Sequence, residues 1–171
     1  VHIHLGVDNA DDHQRISLQM EAEDINVANI LSMGNLGAIH FQRKSNLGNL
    51  PLLSTNSSLV FGAEDPRTKR LGHVIQLNVA EPIRDVSTYY LYQEVFDGVH
   101  KKGGLAGYAH GGGAGIALDL PYGKVDFIEV LQRGQLNTTV WFDTLNFGFK
   151  VAPVAGSDYP YIYGDVPGSV R

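Results

Sequence analysis

The chain has 171 residues, of which 43% are hydrophobic and 18% are charged, and its formal net charge is −5. This length and composition predict one globular domain over residues 1–171, and an acidic chain without a lysine or arginine cluster argues against nucleic-acid binding. No apolar run approaches the roughly 20 residues that a membrane-spanning helix needs. The absence of cysteine excludes disulfides and thiolate metal sites.

The first half of the chain is predicted to contain several short strands and one helix. Residues 36–57 have no clear period and are rich in Asn, Ser, Gly and Leu, which favours a long loop. A charged turn at Glu64–Gly72 is predicted to separate two strands. The predicted elements are a strand end at Val1–His4, a helix at Gln14–Asp24, and strands at Val27–Leu31, Ser58–Ala63 and His73–Val79.

The second half carries the clearest helical pattern, at Ser87–His100, where Ser87 can act as the N-cap. Its apolar face follows the i, i+3, i+4, i+7 spacing through Tyr92, Val95, Phe96 and Val99. The other predicted elements are strands at Leu105–His110, Lys124–Leu131 and Val151–Ser157, a glycine loop at Gly111–Gly115 and a helix at Thr138–Phe149. Strands that alternate with helices predict an α/β fold with a largely parallel sheet.

Candidate metal ligands recur near the ends of these strands. His2 and His4 are two residues apart, so on a strand their imidazoles project from the same face and can chelate a divalent ion. The carboxyl ends of parallel strands meet at one face of a barrel or sheet, which predicts that ligands at strand ends converge. Imidazoles and carboxylates suit zinc, manganese or iron. The other candidates are Glu64, His73, His110 and Asp158.

Each candidate also has a plain structural interpretation. His2 and His4 fit a solvent-facing pair on an edge strand, and Glu64 fits an exposed charge in a turn. Glu129 fits either an outer position beside the ligands or a structural role in its strand. Gly111–Gly115 lacks the Gly-Lys-Ser/Thr ending of a phosphate-binding loop, which favours a flexible turn.

Four motifs in chain order resemble the PHP (polymerase and histidinol phosphatase) superfamily, and within it the CehA/McbA-type metallohydrolases. They are His2-x-His4, Gly62-Ala63-Glu64 with Gly72-His73, Gly107-Tyr108-Ala109-His110-Gly111 and Gly156-Ser157-Asp158. The resemblance implies a distorted (β/α)7 TIM-like barrel with a metal centre at its carboxyl rim. It implies one ion held by His2, His4, Glu64 and Asp158, and a second held by Glu64, His73 and His110.

Two departures from the family pattern bear on the metal count. Ser32-Met33-Gly34-Asn35 stands where the family has Thr-Asp-His, and Asp158-Tyr159-Pro160 stands where it has Asp-x-His. The missing ligands predict one or two divalent ions, zinc or manganese, rather than three. The chain stops where the family has a further strand and helix, so we expect a trimmed piece with an incomplete barrel.

These observations predict a metal-dependent hydrolase that cleaves an ester, carbamate, amide or phosphoester bond in a small-molecule substrate. His110 and His73 are the predicted proton-transfer residues where they do not serve a second ion. The alternative is a non-catalytic, degenerate barrel that binds carbohydrate or protein. Oligomeric state and cellular compartment stay open at this stage.

Overall fold

A computed structural model describes residues 2–4, 10–33, 49–51, 58–79, 81–83, 91–132 and 134–159. Within these residues nine strands form one sheet that curls into a half-barrel. The strands are β1 His2–His4, β2 Val27–Met33, β3 Asn49–Pro51, β4 Ser58–Thr68, β5 Gly72–Leu77, β6 Leu105–Tyr108, β7 Phe127–Gln132, β8 Gln135–Leu136 and β9 Ala152–Gly156.

The sheet is mixed, which corrects the predicted (β/α)7 barrel. Its main path runs β1-β2-β4-β5-β6-β7-β8, with β3 beside β4 and β9 beside β7. The pairs β1–β2, β2–β4, β6–β7 and β7–β9 are parallel, whereas β5 is antiparallel to both β4 and β6. The chain passes from β4 to β5 through a tight turn at 69–71 rather than a helical crossover. A (β/α) barrel requires parallel strands joined by helices, so this reversal excludes it.

Four helices accompany the sheet in the described part of the chain: α1 Ala10–Ala22, α2 Gln93–Lys101, α3 Ile116–Asp119 and α4 Thr139–Asn146. A single 3₁₀ turn at Leu120–Tyr122 follows α3. None of the helices among the described residues has the length and apolar character needed to cross a membrane. The four helices of the described residues are too few and too short to form the outer ring of a barrel.

Helix α2 packs on the sheet with the apolar face that the sequence predicted. Tyr92, Val95, Phe96 and Val99 are at most 1% exposed, and they pack in one core cluster with Tyr108. The helix begins later than predicted, at Gln93, after Tyr92 as a cap without a side-chain hydrogen bond. The predicted cap Ser87 lies outside the described residues.

The other predicted strands and helices are confirmed in kind, with shifted ends, whereas the predicted turn at 64–72 is not. The three predicted strands from Leu105 to Ser157 correspond to β6, β7 and β9, and the predicted helix corresponds to α4. The largest shift is in β4, which continues through Glu64 to Thr68, so the predicted charged turn at 64–72 is mostly strand. Most of the predicted loop 36–57 lies outside the described residues, and Asn49–Pro51 within it forms β3.

A buried hydrogen bond closes the segment between β6 and the 3₁₀ turn. The Tyr108 hydroxyl donates to Asp119 Oδ2 at 2.5 Å, and both side chains are at most 1% exposed. Burial raises the pKa of the Asp119 carboxyl, although the hydrogen bond from Tyr108 opposes this effect, and burial likewise raises the pKa of Tyr108. The bond ties α3 to the end of β6, two residues before His110.

Candidate metal centre

Glu64, His73 and His110 meet at one edge of the sheet. Glu64 lies in β4 and pairs in register with Ile75 of β5, the strand on which His73 lies. Because β5 runs antiparallel to β4, the beginning of β5 lies at the same edge as the end of β4. His110 follows β6, which is antiparallel to β5 and therefore ends at this edge as well. The mixed sheet thus gathers the three residues without a parallel barrel.

The three side chains converge on one point. Glu64 Oε1 lies 2.5 Å from His73 Nδ1 and 3.4 Å from His110 Nε2, and the two imidazole nitrogens are 3.0 Å apart. Zinc ligands at bond lengths of about 2.0–2.2 Å in a tetrahedral site stand roughly 3.3–3.5 Å from one another. These separations reach that range with small side-chain movements. Glu64, His73 and His110 therefore form a group that could hold a metal ion.

Burial makes the negative charge of Glu64 unfavourable unless other groups compensate it. Glu64 is 1% exposed, and a buried carboxylate is stable only when cations, hydrogen bonds or a metal compensate its charge. Arg67 supplies one such partner, with its Nε donating to Glu64 Oε1 at 3.3 Å. The two imidazoles supply the others, and both keep some solvent access, with side-chain exposures of 18% for His73 and 30% for His110.

A β-bulge places Arg67 beside Glu64. Three steps along β4, from Glu64 to Arg67, match two steps along β5, from Ile75 to His73. A spacing of three would put two strand residues on opposite faces, but one extra residue restores the shared face. The bulge therefore explains how a guanidinium reaches the buried carboxylate.

His110 is held in an unusual backbone conformation by Glu129 of β7. Its φ is 58°, in the left-handed region that residues with a Cβ seldom adopt. The backbone N–H of His110 donates to Glu129 Oε2 at 3.0 Å, and the N–H of Gly111 donates to the Glu129 carbonyl at 2.6 Å. Glu129 is itself 1% exposed. Strain that the surroundings fix in this way is common at functional sites.

The second imidazole nitrogen of His110 contacts β7 too. His110 Nδ1 lies 2.7 Å from Gln132 Oε1 and 3.7 Å from Glu129 Oε2. A second β-bulge, between Glu129 and Leu131 against β9, puts Glu129 and Gln132 on the same side despite their spacing of three. One strand thus fixes both the backbone and the ring of His110.

The surroundings of His110 act on its pKa in both directions. Burial lowers the pKa, because it disfavours the charged imidazolium. The hydrogen bond and negative charge of Glu64, with smaller contributions from Gln132 and Glu129, raise it by more, so that the pKa lies above the ordinary value of 6.5. Without a metal, the group therefore favours a bound cation, and a proton on His110 is the simplest one.

Three predicted ligands, His2, His4 and Asp158, are not found in this group in the part of the chain that the structure describes. The side chains of His2 and His4 lie outside what the structure describes, although their backbone pairs in register with Asn29 and Leu31 of β2. Asp158 directly follows β9 and is 4% exposed, with a φ of 55°. Among the described residues, the set of ligand atoms within 4.8 Å of one another contains Glu64, His73 and His110 and leaves Asp158 out.

Two cavities share Glu129 in their lining, and one of them is also lined by His110 of the group. One, of about 240 Å³, is lined by polar side chains that include His110, Gln132, Gln135 and Asn137. The other, of about 180 Å³, is lined mainly by apolar side chains, among them Leu31, Ile75, Phe127 and Val154. A small molecule could therefore reach His110 through the polar cavity.

Sequence reasoning missed Arg67 and Gln132 and left the role of Glu129 open. The spacing of three between Glu64 and Arg67, and again between Glu129 and Gln132, hides each pair from a search for alternation along a strand. The signal that could have found Gln132 is a polar residue at the end of a strand that is apolar apart from Glu129.

No family model matches the chain, and no curated protein sequence is significantly similar to it. The resemblance to the PHP superfamily therefore stays a prediction that rests on the motifs alone.

Proposed function

We propose that the chain is a metal-dependent hydrolase whose ion is bound by Glu64, His73 and His110. The observation that carries the proposal is the convergence of one carboxylate oxygen and two imidazole nitrogens within 4.8 Å, on a buried carboxylate. Two nitrogens and one oxygen suit zinc or manganese, and three protein ligands leave a coordination position open for water or substrate.

A divalent ion in such a site lowers the pKa of a bound water towards about 7 and polarises a carbonyl or phosphoryl oxygen. The protein residues then have separate tasks. Glu64 and the two imidazoles bind the ion. Arg67 compensates the charge of the buried carboxylate, and Glu129 fixes the turn that carries His110. An imidazole released from coordination, His73 or His110, is the proposed proton-transfer group.

His2, His4 and Asp158 remain proposed additional ligands for the same or a second ion. The register supports this for the histidines, because Asn29 and Leu31, their partners on β2, both line the apolar cavity that Glu129 also lines. Asp158 follows β9, which is parallel to β7, the strand of Glu129. The two strands therefore end at the same edge of the sheet. We propose one or two ions on this basis.

The test combines metal analysis with turnover. The purified protein is stripped with a chelator, reloaded with zinc or manganese, and measured for bound metal and for hydrolysis of aryl ester, aryl carbamate, aryl amide and aryl phosphate substrates. We expect stoichiometric metal, and turnover that disappears with chelation and with His110→Ala. A protein that binds metal without any turnover would support the non-catalytic alternative, and one that binds no metal would refute the proposal.

A further inference from the structure

We propose that Gln132 is the positioning residue that presets the tautomer of His110, so that the Nε2 lone pair faces Glu64 and His73. This inference rests on the proposed function, because it states how one of the proposed ligands is made ready for its ion. Gln132 belongs to none of the motifs that the sequence singled out, and it contacts His110 on the side away from the candidate metal group.

The first step is the contact at Nδ1. Gln132 Oε1 lies 2.7 Å from His110 Nδ1, and a carbonyl oxygen can only accept a hydrogen bond. Glu129 Oε2, a second acceptor, lies 3.7 Å from the same nitrogen. Two acceptors beside Nδ1 stabilise a proton there and oppose a lone pair, so we assign the Nδ1–H tautomer to the neutral ring.

The second step is the consequence at the other nitrogen. A neutral imidazole with its proton on Nδ1 carries a lone pair on Nε2. His110 Nε2 lies 3.0 Å from His73 Nδ1 and 3.4 Å from Glu64 Oε1, and it is the atom of His110 on the side of the candidate metal group. The outer hydrogen bond therefore presents the correct atom to an ion, as outer partners of metal-bound histidines generally do.

The third step separates positioning from simple packing. Gln132 Nε2 is buried and has no hydrogen-bond partner within the described part of the chain. A buried amide nitrogen without a partner opposes folding, so an apolar side chain of similar size would serve stability at least as well. Gln132 therefore contributes through its carbonyl oxygen and the ring orientation of His110, rather than through its packing.

The experiment compares Gln132→Leu, which removes the acceptor, with Gln132→Glu, which keeps it. Gln135→Leu is the matched control, because Gln135 lines the same polar cavity and is exposed. Nitrogen-15 NMR of the metal-free protein, at an alkaline pH where His110 is neutral, reports its tautomer. Zinc titration of the same proteins reports affinity, and circular dichroism confirms that each variant is folded.

We expect the wild type, Gln132→Glu and Gln135→Leu to show the Nδ1–H tautomer. Gln132→Leu should show a mixture of tautomers and a zinc affinity about 10- to 100-fold weaker, the usual effect of losing an outer partner of a metal-bound histidine. A Gln132→Leu protein with the wild-type tautomer and affinity would overturn the inference.

The two proposals fail in distinguishable ways. Wild-type protein that binds neither zinc nor manganese fails the proposed function, whatever the tautomer. Wild-type protein that binds zinc, combined with an unchanged Gln132→Leu variant, fails only the role of Gln132. If the wild type binds no metal but its tautomer depends on Gln132, the positioning role stands without the metal.

Discussion

Histidine–carboxylate contacts occur at both ends of the parallel pair β6 and β7. At one end Glu64 lies within 3.4 Å of two imidazoles and one guanidinium. At the other end His100 Nε2 lies 2.8 Å from Asp126 Oδ2, which also accepts the backbone N–H of Ala106 at 2.7 Å. Both ends therefore contain the residue types of a metal site.

The difference lies in convergence and burial. Glu64 is 1% exposed and has two imidazoles around one oxygen, whereas His100 and Asp126 are a single pair, 31% and 30% exposed. The Asp126 carboxylate has a backbone N–H as a fixed partner and sits in partial contact with water, so an ion would gain little there. Residue types alone thus do not indicate a metal site, and the number of ligand atoms that face one point does.

The strongest test of this comparison replaces the central carboxylate at each end. Glu64→Gln should weaken zinc binding by at least about 100-fold, because an amide oxygen is a neutral and weaker ligand than a carboxylate. The matched variant Asp126→Asn should leave zinc affinity unchanged. Calorimetric titration of both proteins measures the effect, and equal losses in the two variants would remove the distinction between the ends.

The next test uses pH. Metal binding requires a neutral His110, and Glu64 raises the pKa of this group above 6.5 despite burial. As the pH is lowered, zinc affinity should therefore begin to fall while the pH is still above 6.5. On further acidification it should decrease by about tenfold per pH unit for each displaced proton. Titrations between pH 5.5 and 8.5 would show this, and a midpoint below the ordinary histidine value would contradict it.

The same raised pKa has a consequence for the metal-free protein. A histidine whose pKa is higher in the folded than in the unfolded state stabilises the fold. This contribution is complete at a pH below the unfolded-state pKa and is lost as the pH rises through the folded-state pKa. We expect the free energy of unfolding without metal to decrease as pH rises past 6.5. His110→Asn should remove this slope, and denaturant unfolding at several pH values measures it.

A smaller effect is expected from the glycines near each histidine. Gly111 follows His110 with a φ of 80°, and a Cβ there would clash with the Asn137 side chain, whereas Gly103, with a φ of 76°, has nothing within 4 Å. Gly103→Ala should cost about 1–2 kcal/mol of strain alone. Gly111→Ala should cost more and should also weaken zinc binding. Urea unfolding and zinc titration compare the two variants.

The smallest effect is expected at the isolated pair. His100→Ala removes a partly exposed contact, and such pairs typically contribute about 0–1 kcal/mol. Unfolding experiments should therefore show a minor loss of stability, with zinc affinity as in the wild type. A clear loss of zinc binding in this variant would mean that the second end also takes part in the site.

Local patterns in the sequence were informative where one element decides the outcome. The spacing of Tyr92, Val95, Phe96 and Val99 correctly predicted the buried face of α2, because the helical period sets that face within a single element. Glu64, His73 and His110 were singled out from the sequence, and the structure brings all three together, although Glu64 lies within β4 rather than after it.

Sheet direction was not predictable in the same way. The sequence suggested a turn at 64–72, but strand β4 continues to Thr68 and the chain reverses only at 69–71. A connection of three residues allows only an antiparallel return, because a crossover to a parallel strand needs about a dozen residues or more. The predicted parallel barrel was wrong for this reason.

By itself the sequence determined the residue types of the site, the absence of thiolate ligands and the amphipathic face of α2, since these follow from composition and from periodicity within one element. Only the tertiary structure decided that Arg67 and Gln132 stand beside Glu64 and His110. Each depends on a β-bulge that inserts one residue and changes the face on which the following side chains lie. Such a bulge is set by pairing with a neighbouring strand, and within the segment itself Pro66 marks the bulge in β4.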